Sequence, residues 1–279
     1  MDYGATIFFT DSSITPQELA RALEERGFES LWVAEHSHIP VCRTTQFPGG
    51  GDLPKMYYDV MDPFVTLSAA AAVTETLKVG TGIALIPQRD PIQTAKAVAS
   101  LDRVSGGRFL FGVGGGWNVE EARNHGIENF GRRWKLMRER IEAMQAIWTQ
   151  SKAEYHGEFV DFDPVYAWPK PVQDPYPPIH VGGAFPHGAR RTVRYGDGWM
   201  PLNPGKQLAD QVRGFHELCR EAGRDELPVS LFAAPGKAES LVRVRDAGVS
   251  RAIFMLPPAG REEILPLLDS YVEARNAAG

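Results

Sequence analysis

The chain has 279 residues, with 30 lysines and arginines against 35 aspartates and glutamates, a formal net charge of −5 at pH 7. This balance disfavours a dedicated nucleic-acid-binding protein, which would normally carry a basic patch or stripe. The two cysteines, Cys42 and Cys219, are too few for a disulfide framework or a zinc-ligand set. The first residues lack the pattern of a signal peptide, and no apolar run reaches the roughly 18 residues that span a bilayer. We therefore expect a cytoplasmic protein that does not bind membranes.

Short apolar runs alternate with amphipathic stretches along the chain. The runs predict eight strands, at residues 5–9, 30–34, 77–83, 108–114, 179–182, 198–200, 229–232 and 252–255. The amphipathic stretches predict helices at 15–26, 62–73, 91–103, 130–149, 188–195, 207–221, 236–246 and 260–275. A strand followed by a helix, eight times over, predicts an α/β protein with a (β/α)₈ TIM barrel, here as a single domain over residues 1–279. A doubly wound sheet is disfavoured, because no dinucleotide fingerprint follows the first strand.

Two segments interrupt this rhythm. Residues 36–61 form a long loop after the second strand, and residues 152–178 predict a short hairpin inserted before the fifth strand. The long loop leaves the C-terminal end of a barrel strand, where enzymes of this architecture build their active sites. Long loops in compact domains are often lids or binding loops. We therefore interpret residues 36–61 as a substrate lid.

Two histidines follow the second strand, in the run Ala34-Glu35-His36-Ser37-His38. If the alternation of a strand continues, His36 and His38 share one face and Glu35 lies on the other. A His-x-His pair on a barrel strand can bind a metal, so a metal-dependent hydrolase is one interpretation. The other strand ends offer no matching ligands, and we expect no metal. A histidine that only forms hydrogen bonds in the barrel mouth is a further interpretation.

Two glycine-rich turns also follow strands. Gly112 to Gly116 departs from the G-x-G-x-x-G fingerprint, because Trp117 stands where the last glycine is required. Either these glycines only turn the chain, or their bare backbone lets a flat ring system approach. Gly182-Gly183-Ala184 leads into a helix, whose free N–H groups would suit a phosphate. That segment, too, could be a turn without a ligand.

Taken in order, these segments resemble the luciferase-like (bacterial luciferase) superfamily of flavin and deazaflavin oxidoreductases over nearly the whole chain. The resemblance rests on residues 28–36, 77–83, 101–108, 112–117 with Glu120-Glu121, 130–148, 178–183 and 197–199. Among its branches, the one that depends on the deazaflavin coenzyme F420 is the most similar. One position departs from the pattern. Trp117 replaces the catalytic glutamate of the family's sugar-phosphate dehydrogenases, so we do not expect sugar-phosphate oxidation.

The resemblance implies the same barrel fold, and coenzyme F420, or alternatively FMN, at its C-terminal mouth. It implies cofactor contacts at Gly82, Ile83, Gly115, Gly116, Trp117, Gly182, Gly183 and Ala184, with a cis peptide bond at Gly82-Ile83. His36 matches the family's active-site histidine and is the predicted catalytic residue. We predict that Phe8, His38, Tyr57 and Tyr58 bind the substrate.

The resulting functional prediction is an oxidoreductase that transfers a hydride between coenzyme F420 and a small organic substrate. The aromatic residues around the mouth favour an apolar or aromatic substrate. The alternatives are an FMN-dependent monooxygenase, the metal-dependent hydrolase that His36 and His38 suggest, and a non-catalytic member of the family. The resemblance also implies a homodimer, and a small molecule is the only other partner that we expect.

Overall fold

The computed structural model describes residues 1–279. Its strands are β1 Asp2–Ile7, β2 Ser30–Val33, β3 Lys78–Thr81, β4 Ala84–Leu85, β5 Phe109–Gly114, β6 Ala153–His156, β7 Asp161–Val165, β8 Ile179–Gly182, β9 Gly198–Met200, β10 Ser230–Phe232 and β11 Arg251–Met255. Its α-helices are α1 Pro16–Glu25, α2 Met56–Asp59, α3 Pro63–Ala71, α4 Pro91–Val104, α5 Val119–Asn124, α6 Arg133–Thr149, α7 His187–Tyr195, α8 Leu208–Glu221, α9 Ala238–Asp246 and α10 Arg261–Ala278.

Eight parallel strands form a nearly closed barrel in the order β10-β11-β1-β2-β3-β5-β8-β9. The ring is completed between β9 and β10 by two isolated parallel bridges, Trp199 to Val229 and Leu202 to Phe232. The short strand β4 pairs with the end of β5. All eight predicted strands are therefore present, and the predicted TIM barrel is confirmed.

The barrel is filled from inside and covered from outside. Trp32, Leu110, Met200 and Ile253 form a buried cluster within it, and a larger cluster of 52 buried residues lies mainly between the strands and the surrounding helices. Strands that are buried on both faces read as continuous apolar runs, which is why each of them could be located from the sequence.

Local sequence signals set the ends of several helices. Thr15 caps α1 by accepting a hydrogen bond from the Glu18 N–H, and Glu18 completes a capping box. Asp62 and Asp90 cap α3 and α4 in a related way, each just before a proline in the first turn of its helix. These caps fix where the loops above the barrel end.

Both predicted insertions are present. Strands β6 and β7 form the antiparallel hairpin that precedes the fifth barrel strand. The 36–61 loop contains the short helix α2 and no strand. Glu120 in α5 fastens this loop, because its carboxylate accepts hydrogen bonds from the Thr44 and Thr45 N–H groups, at 2.8 and 3.2 Å. No helix is long and apolar enough to cross a membrane.

Candidate active site

A cavity of about 280 Å³ opens at the C-terminal ends of the barrel strands. Ten of the predicted site residues line it: Phe8, His36, Tyr57, Gly82, Ile83, Gly115, Gly116, Trp117, Gly182 and Gly183. Tyr58, His38 and Ala184 do not. Cavities that hold small ligands range from roughly 300 to 1,000 Å³, so this one lies at the small end of that range. The structure therefore brings most of the predicted site together in one place.

Ile83 lies between two glycines at the base of this cavity. A Cβ atom on Gly114 would overlap the Ile83 side chain, and one on Gly182 would lie 3.2 Å from it. The peptide bond between Gly82 and Ile83 is cis, as the resemblance implies. Because these glycines have no side chains, the Ile83 side chain forms an apolar floor of the cavity.

A second glycine contact shapes one side of the cavity. A Cβ atom on Gly115 would lie 2.5 Å from the indole ring of Trp134 in α6, so only glycine lets that ring pack here. Gly116 has a φ of +70°, a conformation that glycine adopts without strain. The glycine run thus serves both to turn the chain and to bring an aromatic ring to the cavity wall.

The remaining wall is aromatic. The Phe8 and Tyr57 rings lie 4.8 Å apart, and the His36 ring lies 5.3 Å from Tyr57 and 5.9 Å from Trp117. Phe47, from the middle of the 36–61 loop, packs against both Tyr57 and Trp117. Burial raises the pKa of Tyr57, so its hydroxyl stays protonated at neutral pH. This surface suits an apolar or aromatic molecule.

The polar centre of the site is a histidine–carboxylate pair. The Nδ1 atom of His36 lies 2.9 Å from Oε2 of Glu121, and the two side chains are only 6% and 1% exposed. A carboxylate at Nδ1 accepts the proton carried there, which makes Nε2 the acceptor nitrogen of the neutral ring. Nε2 has no hydrogen-bond partner in the protein, and His36 lines the cavity. The pair can therefore exchange a proton with a bound molecule.

Glu121 owes its position to helix α5. Asn118 caps this helix by accepting a hydrogen bond from the Glu121 N–H, which sets Glu121 in the first turn. Its carboxylate turns away from the cap toward His36, and its Oε1 atom is buried without a partner. The Nδ2 atom of Asn118 is likewise buried without a partner. Unpaired buried polar atoms are rare, and they cluster at functional sites.

The structure corrects the predicted placement of His36 and His38 on one face. Strand β2 ends at Val33, so the alternation of a strand does not extend to these residues. His36 enters the cavity, whereas His38 contacts Ser37 and Asn124 outside it. Glu35 does lie away from His36: its carboxylate accepts hydrogen bonds from the Leu85 N–H and from Arg89.

No group of three or more histidine, cysteine, aspartate or glutamate side chains is placed to hold a metal ion. The two histidines point to different partners, and the Glu121 carboxylate contacts only one of them. The arrangement therefore offers no ligand set to the metal-dependent hydrolase interpretation.

The turn before α7 has the free donors that a phosphate needs, although not all at the predicted residues. The N–H of Gly183 donates to the Met200 carbonyl, at 3.4 Å. The N–H groups of Ala184 and Phe185, by contrast, have no acceptor in the protein. Gly183 lines the cavity and Ala184 is exposed beside it. The turn can thus receive an anionic group at the edge of the cavity.

A larger and mostly polar cavity, of about 540 Å³, adjoins the first one. Glu35 and His36 border both. Arg89, Gln88 and His125 are among the side chains that line the second. His36 therefore stands between an apolar space and a polar one.

Sequence reasoning missed three residues of the site. Glu121 lies in a motif on which the resemblance rests. An asparagine followed three residues later by a glutamate indicates a helix cap, so this pattern gives Glu121 a structural role and does not predict its contact with His36. Phe47 lies in a loop without periodicity, so nothing in the sequence indicates which way it faces. Trp134 sits in a long amphipathic helix, where an aromatic residue is normally part of the core.

Comparison with known proteins places this site in a family. The sequence model of the luciferase-like monooxygenase family matches residues 15–243. An uncharacterised protein of Mycobacterium tuberculosis is 41% identical over 279 residues, covering 98% of this chain and 96% of that protein. An F420-dependent hydroxymycolic acid dehydrogenase of the same organism is 28% identical over 237 residues, covering 81% of this chain and 61% of that protein.

Solved structures share the fold. A monooxygenase from Streptomyces bottropensis superposes with a TM-score of 0.79 at 20% identity, and the match covers 99% of both chains. An F420-dependent secondary alcohol dehydrogenase superposes with a TM-score of 0.77 at 19% identity, over 100% of both chains. The barrel, the cavity at its mouth and the family match lead to one conclusion: the chain belongs to the luciferase-like monooxygenase family, whose members include F420-dependent and flavin-dependent enzymes.

Proposed function

We propose that the protein is an oxidoreductase that binds coenzyme F420 in the 280 Å³ cavity and transfers a hydride between it and a small apolar or aromatic substrate. The observation that carries this proposal is the His36–Glu121 pair. It places a proton-exchanging nitrogen, free of any protein partner, on the wall of a largely apolar and aromatic cavity. Histidine can exchange protons near neutral pH, which is where such a pair is useful.

The residues present fit a flat cofactor with an anionic side chain. Ile83, set low between Gly114 and Gly182, would support one face of the ring. Trp117 and Tyr57 would border its edge, and the free N–H groups of Ala184 and Phe185 would receive the anion of the side chain. The contacts are stacking, backbone donors and shape.

A bound deazaflavin supplies the chemistry of accepting or giving a hydride, and the protein supplies position and proton transfer. When a hydride leaves or reaches a carbon that carries oxygen or nitrogen, a proton must move at that heteroatom. Nε2 of His36 would give or take this proton. Glu121, at Nδ1, would hold the ring in one orientation and stabilise the imidazolium form. The aromatic wall would exclude water from the reacting atoms.

Similarity to F420-dependent relatives supports the deazaflavin over a flavin. The 28% identical hydroxymycolic acid dehydrogenase is named for that cofactor, as is the structurally similar alcohol dehydrogenase. Monooxygenation with FMN is the competing function, because another relative, 27% identical over 216 residues, is a flavin-dependent trigonelline monooxygenase. Hydride transfer consumes no oxygen, whereas monooxygenation requires it, so the two functions separate cleanly in an assay.

Two further parts of the proposal concern the surroundings of the site. The 36–61 loop would act as a lid, since its Phe47 packs on cavity residues and its glycines 49–51 give it freedom to close. The protein would also assemble as a homodimer, as the family resemblance implies. Sedimentation of the purified protein tests the homodimer, and a monomer in that experiment would refute it.

The test is an anaerobic assay with reduced and oxidised coenzyme F420 and a panel of small alcohols, ketones and cyclic enones of increasing apolar size. We expect at least one member of the panel to change the redox state of the coenzyme with the wild type but not with His36→Asn. A second arm adds oxygen and reduced FMN to the same panel. Substrate oxygenation in that arm, without any F420 turnover, would contradict the proposal and favour the monooxygenase.

A further inference from the structure

Helix α5 and the residue that follows it, His125, hold the first part of the 36–61 loop by side-chain hydrogen bonds. The contacts follow the loop in order: His36 with Glu121 at 2.9 Å, Ser37 with His125 at 2.7 Å, His38 with Asn124 at 2.8 Å, and Thr44 with Glu120 at 2.8 Å. The helix therefore binds both the start and the middle of the loop, and one of these contacts is the His36–Glu121 pair itself.

Two adjacent residues of α5 contact different parts of the loop. The Glu121 carboxylate contacts His36, whereas Oε1 of Glu120 accepts hydrogen bonds from the N–H and hydroxyl of Thr44 and from the N–H of Thr45. Hydrogen bonds from Thr45 and Thr44 lower the pKa of Glu120 to about 2, so this carboxylate is charged at neutral pH. A charged acceptor forms stronger hydrogen bonds than a neutral one, so Glu120 is a firm attachment for an exposed loop.

Helix α5 has little else to hold it in place. It contains six residues, and an isolated helix shorter than about 12 residues is barely stable in water. Its buried apolar residue Ala122 belongs to a cluster of three buried residues, with Ile127 and Leu136, that is separate from the main core. The position of α5 therefore depends strongly on its polar contacts with the loop. A displacement of the loop would move Glu121 with it.

We propose that Glu120 is a positioning residue for His36: by fastening the 36–61 loop to α5, it keeps the His36–Glu121 pair aligned only while the loop is docked. This inference rests on the proposed function, because it explains how proton transfer at His36 is controlled. None of residues 118–125 lines the 280 Å³ cavity, so Glu120 acts on His36 through the loop and α5 and not through the cofactor site. Docking of the loop and alignment of the proton-exchanging histidine are thus one event.

The test changes Glu120 and observes His36 directly. Protein with isotope-labelled histidine is studied by NMR without cofactor, and the signal of the proton at Nδ1 of His36 is assigned by its loss in His36→Asn. In the wild type the hydrogen bond to Glu121 should protect this proton from exchange with water. We expect the signal to broaden or disappear in Glu120→Ala and to persist in Glu120→Gln, which keeps an acceptor oxygen for the loop. Glu128→Ala, which removes an exposed glutamate from the segment after α5, is the matched control and should leave the signal unchanged.

Kinetics separate positioning from an anchoring role in the loop alone. Glu120→Ala should lower kcat about ten- to a hundred-fold, because a small displacement of a catalytic group costs that much, while cofactor affinity stays within about two-fold. Thr44→Val loosens the same attachment at an exposed loop residue, where the core is untouched, and should change the signal and kcat in the same direction by a smaller factor. A rise in KM, with kcat and the His36 signal unchanged, would overturn the inference.

The NMR measurement also separates this inference from the proposed function. An unchanged His36 signal in Glu120→Ala would overturn the inference and leave the proposed function standing. A wild type without the signal would likewise contradict the inference, because there would be no aligned pair for Glu120 to hold. If the signal depended on Glu120 but the wild type showed no turnover with coenzyme F420, the proposed function would fall and the coupling of the loop to His36 would remain.

Discussion

The two ends of the barrel differ in whether their buried charged and polar side chains have partners within the protein. At the N-terminal end, where the strands begin, Arg251 donates two hydrogen bonds to Glu29, at 2.6 and 2.7 Å, and Lys78 pairs with the same carboxylate at 2.9 Å. At the C-terminal end, buried polar atoms of Asn118, Glu121 and Arg133 have no partner. The N-terminal end has paired these charged groups, and the C-terminal end has left several buried polar atoms without a partner.

The N-terminal end of the barrel, called the closed end below, uses its charged groups to hold segments of the protein together. Glu24 accepts hydrogen bonds from the N–H groups of three successive residues, Glu75, Thr76 and Leu77, and thereby fastens α1 to the loop before β3. Arg108 in turn donates to the carbonyls of Ala71, Thr74 and Leu77. Both Glu24 and Arg108 thus have their hydrogen-bond partners inside the protein, so neither is left for a ligand to satisfy.

The C-terminal end of the barrel, called the open end below, has its unpaired polar and charged groups around one cavity. His36 has its Nε2 atom free, and Arg133 and Arg191 lack counter-ions. In TIM barrels the N-terminal face contributes stability and the C-terminal face carries function. The comparison therefore indicates that unpaired charged groups, more than the size of a cavity, identify the end of the barrel that binds a ligand. A change at one end should therefore leave the properties of the other end unaltered.

The largest effect is expected at His36. The His36→Asn variant keeps a donor for Glu121 but cannot exchange a proton, and general acid–base catalysis typically contributes 10²–10⁴-fold. We expect kcat to fall by about that factor, with cofactor affinity within about two-fold of the wild type. Steady-state kinetics and a cofactor titration measure the two quantities. Weaker cofactor binding with normal turnover at saturation would instead show that His36 only packs against the ring.

The closed end should respond to a broken ion pair with a loss of stability alone. Arg251→Met leaves Glu29 largely buried without its main partner, and removing one member of a buried pair costs about 3 kcal/mol. Equilibrium unfolding in denaturant measures this free energy, with the exposed pair partner Arg213→Met as the control. Cofactor affinity below the melting temperature should not change. A matching loss of affinity would show that the two ends are coupled.

Acid should weaken the ion pair at the closed end. Burial alone would raise the pKa of Glu29, but the hydrogen bonds and charge of Arg251 lower it to about 2, from 4.5. A depressed pKa in the folded state means that the pair stabilises fully above about pH 4.5, and that this contribution is lost as the pH falls toward 2. The free energy of unfolding should therefore decrease over that interval. In Glu29→Gln the decrease should be shallower, and an unchanged slope would refute the assignment.

The smallest effect is expected in the loop above the open end. Phe47→Ala removes the ring that packs against Tyr57 and Trp117 of the cavity wall, and it leaves the cavity-lining residues themselves unchanged. We expect KM for the substrate to rise about three- to ten-fold with little change in cofactor affinity. Val41→Ala, which alters a fully exposed residue of the same loop, is the control. A comparable loss of cofactor affinity would make the loop a structural segment rather than a lid.

The barrel could be predicted from the sequence because its strands are buried on both faces and its helices carry strong end signals. The apolar runs at 109–114 and 252–255 predict buried strands, and the Thr15–Glu18 capping box sets the start of the first helix. The glycines of the cavity could also be predicted, through the resemblance. Each of these features is local, so a short stretch of sequence is enough to specify it.

What could not be predicted depends on contacts between distant segments. Glu121 meets His36 across 85 positions of sequence, and Arg191 meets Trp134 across helices that the hairpin separates. The wrong placement of His38 has the same origin: strand β2 ends three residues before His36, and the alternation on which the prediction relied ends with it. Side-chain direction in a loop is set by the packing of the whole barrel mouth.

The central claim is that the open end of the barrel is a cofactor site selective for the deazaflavin. Equilibrium titration of the purified apoprotein with coenzyme F420 and with FMN, followed by ring fluorescence under the same conditions, tests it directly. The account predicts one F420 molecule per chain, bound at least about ten-fold more tightly than FMN, a difference of about 1.4 kcal/mol. Tighter binding of FMN, or no binding of either, would contradict it.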